Sequence, residues 1–176
     1  MKNPYFSIHL PTKPHLKKYL EAKYGNPVIF QMDSYFGLII AAVIEKNVYA
    51  DRNKEVIHRA FDIYKEPIII HLPISWLKNY RYGTDVSEKH VVYINKLIES
   101  SFEDELYMHC AVATIYNQQR KIAIENFCAG YNIDIETDVS FENLKKMEYR
   151  YREKILKKDK RNLSREKATS FQPTFL

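Results

Sequence analysis

Glycine is nearly missing from this chain, with four residues among 176. That scarcity argues against a glycine-rich phosphate loop and against repeat architectures that spend glycine on turns. Cysteine is scarcer still. Cys110 and Cys128 fall in no spacing motif, and each is expected to be a small core residue in a helix. A disulfide scaffold is not expected in a chain of this length, and a reducing compartment fits better. Long apolar runs are also lacking. The longest, Gly37 to Ile44, has eight residues, well short of the roughly 20 that a membrane-spanning helix needs. No apolar stretch follows Lys2, as a secretory signal would require. The expectation is a cytoplasmic protein with no membrane partner.

The motifs of common catalytic chemistry are missing as well. There is no glycine-rich loop followed by Lys and Ser or Thr, no Cys-x-x-Cys and no His-Glu-x-x-His. The histidines His9, His15, His58, His71, His90 and His109 have no metal-site spacing. Asp33, Glu45, Asp51 and Glu66 flank apolar segments, where a metal-dependent nuclease could use them, but four acids among 22 single out no site. His109 and Cys110 are adjacent on a predicted helix and so diverge by about 100°, which argues against a nucleophile pair. The sequence predicts no enzyme, no catalytic residue, no metal and no cofactor.

What remains is a foldable chain of one-domain size, rich in tyrosine at 14 residues and unevenly charged. Residues 1–142 carry 16 basic and 18 acidic side chains, a net of −2, whereas residues 143–176 carry 11 and 4, a net of +7. A local basic surface attracts phosphate backbones through its field and through counterion release.

Hydrophobic spacing predicts an α+β fold. Tyr5 to Leu10 alternates as a strand, and Ile68 to Leu72 is a β-branched strand closed by Pro73. Segments 28–30 and 35–44 are read as further strands, although the unalternated run Leu38 to Ile44 also suits a buried helical turn. Thr12 is expected to cap a helix ending before Gly25, whose polar face carries Lys13, Lys17, Lys18 and Lys23 as a second basic patch. Asp51 to Glu66 reads as helical or partly extended. A helical half follows. One helix begins after Ser87, and a pause at Glu99-Ser100-Ser101 leads to a second, with Glu103, Asp104 and Glu105 in its first turn. A third runs from Gln118 to Ala129, with Gly130 beyond its end, and the last is capped by Ser140 and fades after Lys158. Residues 1–158 form one domain with a helical subdomain at 84–158, and residues 159–176 form a flexible basic tail.

The last helix carries the binding candidates. Lys146, Arg150, Lys154 and Lys157 recur at a spacing that aligns them, and Lys145, Tyr149 and Arg152 broaden the stripe. Such a face can meet phosphates, with Tyr149 and Arg152 placed for base contacts. Lys78 and Arg81 stand among Trp76, Tyr80 and Tyr82 in a second aromatic-basic stretch. Packing alone also explains these features, because basic side chains lie over apolar seams and Trp76 suits a core.

Residues 118–158 form a helix–loop–helix unit. Its Phe127, Tyr131 and Ile133, followed by Ser140, Leu144, Lys145 and Lys146, resemble the helix-turn-helix-like C-terminal region of uncharacterised phage and mobile-element accessory proteins. The connection of about ten residues is longer than a tight recognition turn. The resulting expectation is a non-catalytic nucleic-acid-binding protein, with duplex DNA favoured and a regulatory or mobile-element role. A homodimer would let it read paired half-sites. The alternative is a protein-interaction module whose basic C-terminal region, with Phe171, Phe175 and Leu176, binds an acidic protein partner.

Overall fold

A computed structural model describes residues 4–31, 33–43, 63–76, 86 and 88–169. The fold is α+β: a small mixed sheet packed against helices, followed by a helical C-terminal region. The elements are β1 (Tyr5–Thr12), α1 (Pro14–Tyr24), β2 (Val28–Ile29), α2 (Tyr35–Val43), β3 (Glu66–Pro73), α3 (Glu88–Ile115), α4 (Arg120–Gly130) and α5 (Phe141–Thr169).

The sheet runs in the order β1-β3-β2, with β1 antiparallel and β2 parallel to β3. Alternation sets its register. Ile8 faces Ile70 and Leu10 faces Ile68 across the antiparallel pair, so the buried residues share one face with Leu72 and Val28. Leu16, Tyr19 and Leu20 of α1 and Val91, Ile94 and Ile98 of α3 belong to the same core. Both cysteines are buried, and burial pushes each thiol up to about 11. Trp76 is a core residue as well.

Four expectations about the elements are corrected. Residues 35–43 form a helix, not a strand. Ser34 starts it by accepting a hydrogen bond from the Gly37 N–H at 3.0 Å and donating to the Gln31 carbonyl at 2.7 Å. Phe36 and Ile40 then share the buried side, while Tyr35 and Leu38 are exposed. Gly37 is required there, because a Cβ would stand 1.9 Å from the Gln31 carbonyl oxygen.

Thr12 does not cap α1, whose N-cap is Lys13 with no side-chain cap bond. Thr12 ends β1 fully buried and donates to Asn95 Oδ1 at 2.5 Å, while Asn95 Nδ2 donates to the Pro11 and Val91 carbonyls. This network ties the end of β1 to α3. The expected pause at 99–101 is also absent. α3 runs through it because Ile98 and Phe102 continue the buried stripe four residues apart. Finally, α5 continues past Lys158 to Thr169. Glu66, at the end of the segment read as helical or partly extended, opens β3. Residues 51–62 of that segment, together with Ile44, Lys78, Tyr80, Arg81, Tyr82, Ser87 and residues 170–176, lie outside the described residues.

His15 sits inside this packing. It is only 3% exposed, its ring meets Phe102 edge-on at 5.3 Å, and neither ring nitrogen has a hydrogen-bond partner among the described residues. Burial, helped by the Lys13 ammonium, lowers its pKa from 6.5 to about 4, against the opposing pull of Glu99 and Asp138. The unfolded chain takes up this proton near pH 6.5, whereas the folded one resists until about 4. Stability is therefore full above that window and falls as the pH drops through it. Moving from about pH 7 to about pH 5 should cost about 2 kcal/mol through this residue. Urea unfolding at both pH values checks this. His15→Leu should remove that increment, and an unchanged pH dependence would assign it elsewhere.

Candidate functional site

The basic residues divide sharply by fate. The four lysines of α1, expected to form a patch, are ion-paired. Lys13 pairs with Glu99 at 2.6 Å, Lys17 with Glu66 at 3.5 Å, Lys18 with Asp138 at 2.5 Å, and Lys23 with Glu105. That patch is a set of tethers to α3, β3 and the loop before α5. The acids expected to serve as helix-start chemistry are likewise mid-helix partners. Glu105 accepts from Tyr19 Oη at 2.8 Å, from Tyr131 Oη at 2.7 Å and from Lys23 Nζ. Asp104 accepts from Tyr151 Oη at 2.8 Å.

The basic surface of α5 differs in degree: Lys145 meets Glu142 at 3.8 Å, as Lys121 of the preceding helix meets Glu125 at 3.9 Å, but these are exposed pairs within one helix and not tethers between elements. Lys145, Lys146, Tyr149, Arg150, Lys154 and Lys157 are all exposed. The loop before this helix fixes its start. Glu136 Oε1 accepts from the Phe141 N–H at 3.0 Å, and Ser140 Oγ accepts from the Asn143 N–H at 3.4 Å, so Ser140 caps the helix as expected. Phe127, Ile133 and Leu144 are buried in the core, and Ile135 and Phe141 pack against it. Tyr151 binds Asp104, and its ring lies 5.4 Å from that of Tyr107. These contacts hold the buried side of α5 on α3 and turn the basic side outward.

α4 contributes the other wall. Asn117 adopts a positive φ of 57° and, with Tyr116, turns the chain out of α3. α4 then begins with Arg120 and Lys121 and has no acid in its first turn. Cations there oppose the helix dipole. Arg120 and Lys121 join Lys145, Lys146, Arg150 and Arg152 around one groove of about 540 Å³. Ile124, Phe141 and Tyr149 supply its apolar surface, and Glu142 and Glu148 are its acids. Six cations against two carboxylates leave the lining at +4.

Glu148 organises the inner end. It is only 4% exposed and lies between Arg120 at 3.8 Å and Arg152 at 3.6 Å. The Arg152 guanidinium also stands 5.3 Å from the centre of the Tyr149 ring, a cation–π distance. At 3.6 Å the Arg152 Nε does not reach hydrogen-bonding range of Glu148, and that nitrogen is buried without a partner among the described residues.

Five sequence-predicted residues therefore meet in one place: Lys145, Lys146, Tyr149, Arg150 and Arg152. Lys154 and Lys157 lie farther along α5, outside the groove lining, and Lys154 stands over the Tyr151 ring at 5.6 Å. Lys78 and Arg81 fall outside the described residues. Sequence reasoning missed Arg120, Lys121 and Glu148. Two adjacent cations opening a helix without an acid were a readable signal for the first two. Glu148 occupies a position on the apolar stripe of α5, and its charge masked its burial.

A second groove, of about 580 Å³ between α3 and α4, is lined by Met108, Val112 and Phe127 beside Glu105 and His109. Its carboxylate and apolar walls do not suit an anion. Among the described residues, no group of three or more His, Cys, Asp or Glu side chains converges to hold a metal, and no helix is long and apolar enough to cross a membrane. Comparison with protein-family models, curated proteins and solved structures returns no match to this chain.

Proposed function

We propose that this protein binds nucleic acid, with DNA favoured, through the basic surface shared by α4 and α5, and that its role is binding rather than catalysis. The carrying observation is the convergence of Arg120 and Lys121 with Lys145, Lys146 and Arg150 on one groove whose lining keeps a net +4 even with the carboxylates of Glu142 and Glu148 counted, whereas each α1 lysine is matched by an acid of another element. Lys146, Arg150, Lys154 and Lys157 extend that charge along α5 for about 16 Å, the axial length of about five base pairs. They hold phosphates, and the ion pair with Glu148 holds Arg152 in place beside Tyr149. The likeness of residues 118–158 to phage and mobile-element accessory proteins favours a regulatory setting.

The test is fluorescence anisotropy with labelled random DNA at about 50 and 200 mM salt. Four phosphate contacts predict a loss of roughly 50- to 150-fold in affinity between these conditions. Salt-insensitive binding, or none at micromolar protein, would overturn the proposal. An acidic protein is the competing ligand for this surface. Polyglutamate displacing the DNA at equal charge concentration would favour that reading.

A further inference from the structure

We infer that the α4–α5 groove holds an unpaired nucleotide, so that the protein prefers DNA with an overhang or open end to a closed duplex. This rests on the nucleic-acid reading above and specifies the form of its ligand. A surface that only tracks a duplex backbone needs cations on a convex helix. Here the cations of two helices ring a concavity of about 540 Å³, a volume within the usual range of small-molecule sites. Its walls are amphipathic in the sense that a nucleotide is. Arg120, Lys121, Lys145 and Lys146 provide charge for a phosphate, and Ile124, Phe141 and Tyr149 provide apolar surface for a base.

Two details favour a base over a bare phosphate. Tyr149 is 52% exposed although it lines the groove, and the Arg152 guanidinium lies beside its ring. Both are planar groups on which an unstacked base can lie. The inner end also holds a polar group left without a hydrogen bond among the described residues. Glu148 meets its arginines only at ion-pair distances of 3.6 and 3.8 Å, and the buried Arg152 Nε has no partner. An acceptor beside a donor matches the edge of a base carrying an amino group next to an acceptor. A buried polar group without a partner calls for an explanation, and a bound base edge supplies one. A paired base cannot offer that edge, because its partner strand occupies it.

The chemistry of base plus phosphate is shared by a strand end and a free mononucleotide, so the experiment separates them. Anisotropy is measured at about 100 mM salt with a blunt duplex, the same duplex carrying a short single-stranded overhang, and the overhang duplex challenged with millimolar CMP or AMP. The expected result is about 10-fold tighter binding of the overhang duplex. Tyr149→Ala should bring the ratio of overhang to blunt affinity down to about one, whatever it does to blunt-duplex binding itself, and Tyr149→Phe should restore the ratio. Equal affinity for both duplexes, or Tyr149→Ala weakening both alike, overturns the inference while leaving nucleic-acid binding standing. Displacement of the overhang duplex to no better than blunt-duplex affinity by CMP or AMP supports a nucleotide site. If CMP or AMP binds in a calorimetric titration, and Tyr149→Ala removes that binding, but no duplex binds, the site belongs to free nucleotides and both readings fall.

Discussion

Reversing two charges, Lys146→Glu with Arg150→Glu, should weaken DNA binding about 100-fold at about 100 mM salt. It should also flatten the salt dependence by nearly 2 in log–log slope. Each phosphate contact on duplex DNA contributes about 0.9 to that slope. Both residues are exposed and both line the groove, so the fold has little to lose. Arg150 also sits near enough to Glu103 to favour its ionised form, against the burial and the Glu99 charge that raise the Glu103 pKa. Reversal therefore adds a local repulsion, and circular dichroism and thermal melting should accompany the titration. A reversal at Lys89 and Lys96 is the matched control, since both are exposed on α3 away from the groove lining. Equal losses from the two pairs would mean that net charge, not this surface, drives binding.

Loss of Glu105 should produce the largest effect on stability. This one carboxylate receives Tyr19 and Lys23 from α1 and Tyr131 from the end of α4. It therefore joins three segments more than 25 residues apart in sequence. Burial alone would raise its pKa, but the hydrogen bonds from Lys23, Tyr131 and Tyr19 win and lower it. Burial and the bond to Glu105 push the Tyr131 hydroxyl up to about 12. Glu105→Ala strands two partly buried hydroxyls and an ammonium, and should cost about 3 kcal/mol. In thermal unfolding that corresponds to a fall of roughly 6–12 °C for a domain of this size. Glu105→Gln keeps an acceptor for the tyrosines and should lose about half as much. Because the folded carboxylate is the more acidic, its contribution is present above the usual carboxylate range and disappears as the pH falls below it. The deficit of the Gln variant should shrink at that end. An Ala variant that melts with the wild type would remove Glu105 from the account of the fold.

The parts of the fold readable in the sequence are those where side-chain spacing alone decides. Ile68 to Leu72 reads as a strand because β-branched residues dominate it, and Ile8 and Leu10 supply the matching face of β1. The cap at Ser140 was legible because a hydroxyl side chain stands just before the helical pattern begins. Helix α2 was not. Its apolar residues show neither period clearly, and its start depends on Ser34 reaching Gly37 and Gln31 in space. α3 appeared broken at Ser100 and Ser101 because local propensity was weighed without Tyr19, whose hydroxyl lies 3.3 Å from Ser101 Oγ.

The same distinction governs the site. The stripe on α5 is a local pattern and was visible. Whether a lysine is free is a tertiary fact, and the α1 lysines looked like the α5 lysines until Glu99, Glu66, Asp138 and Glu105 came to meet them. Arg120 and Lys121 join the groove only because the segment 131–140 folds α5 back beside α4, a path fixed by Glu136, Asp138 and two positive-φ residues, Asn132 and Glu136.

The most direct test of the central claim is lysine acetylation footprinting of the free and DNA-bound protein, read by mass spectrometry. Lys121, Lys145 and Lys146 should lose most of their reactivity in the complex, while the exposed Lys65, Lys89 and Lys96 keep theirs. Protection of the second group, with the groove lysines still reactive, would contradict the account and move the binding surface to another part of the molecule.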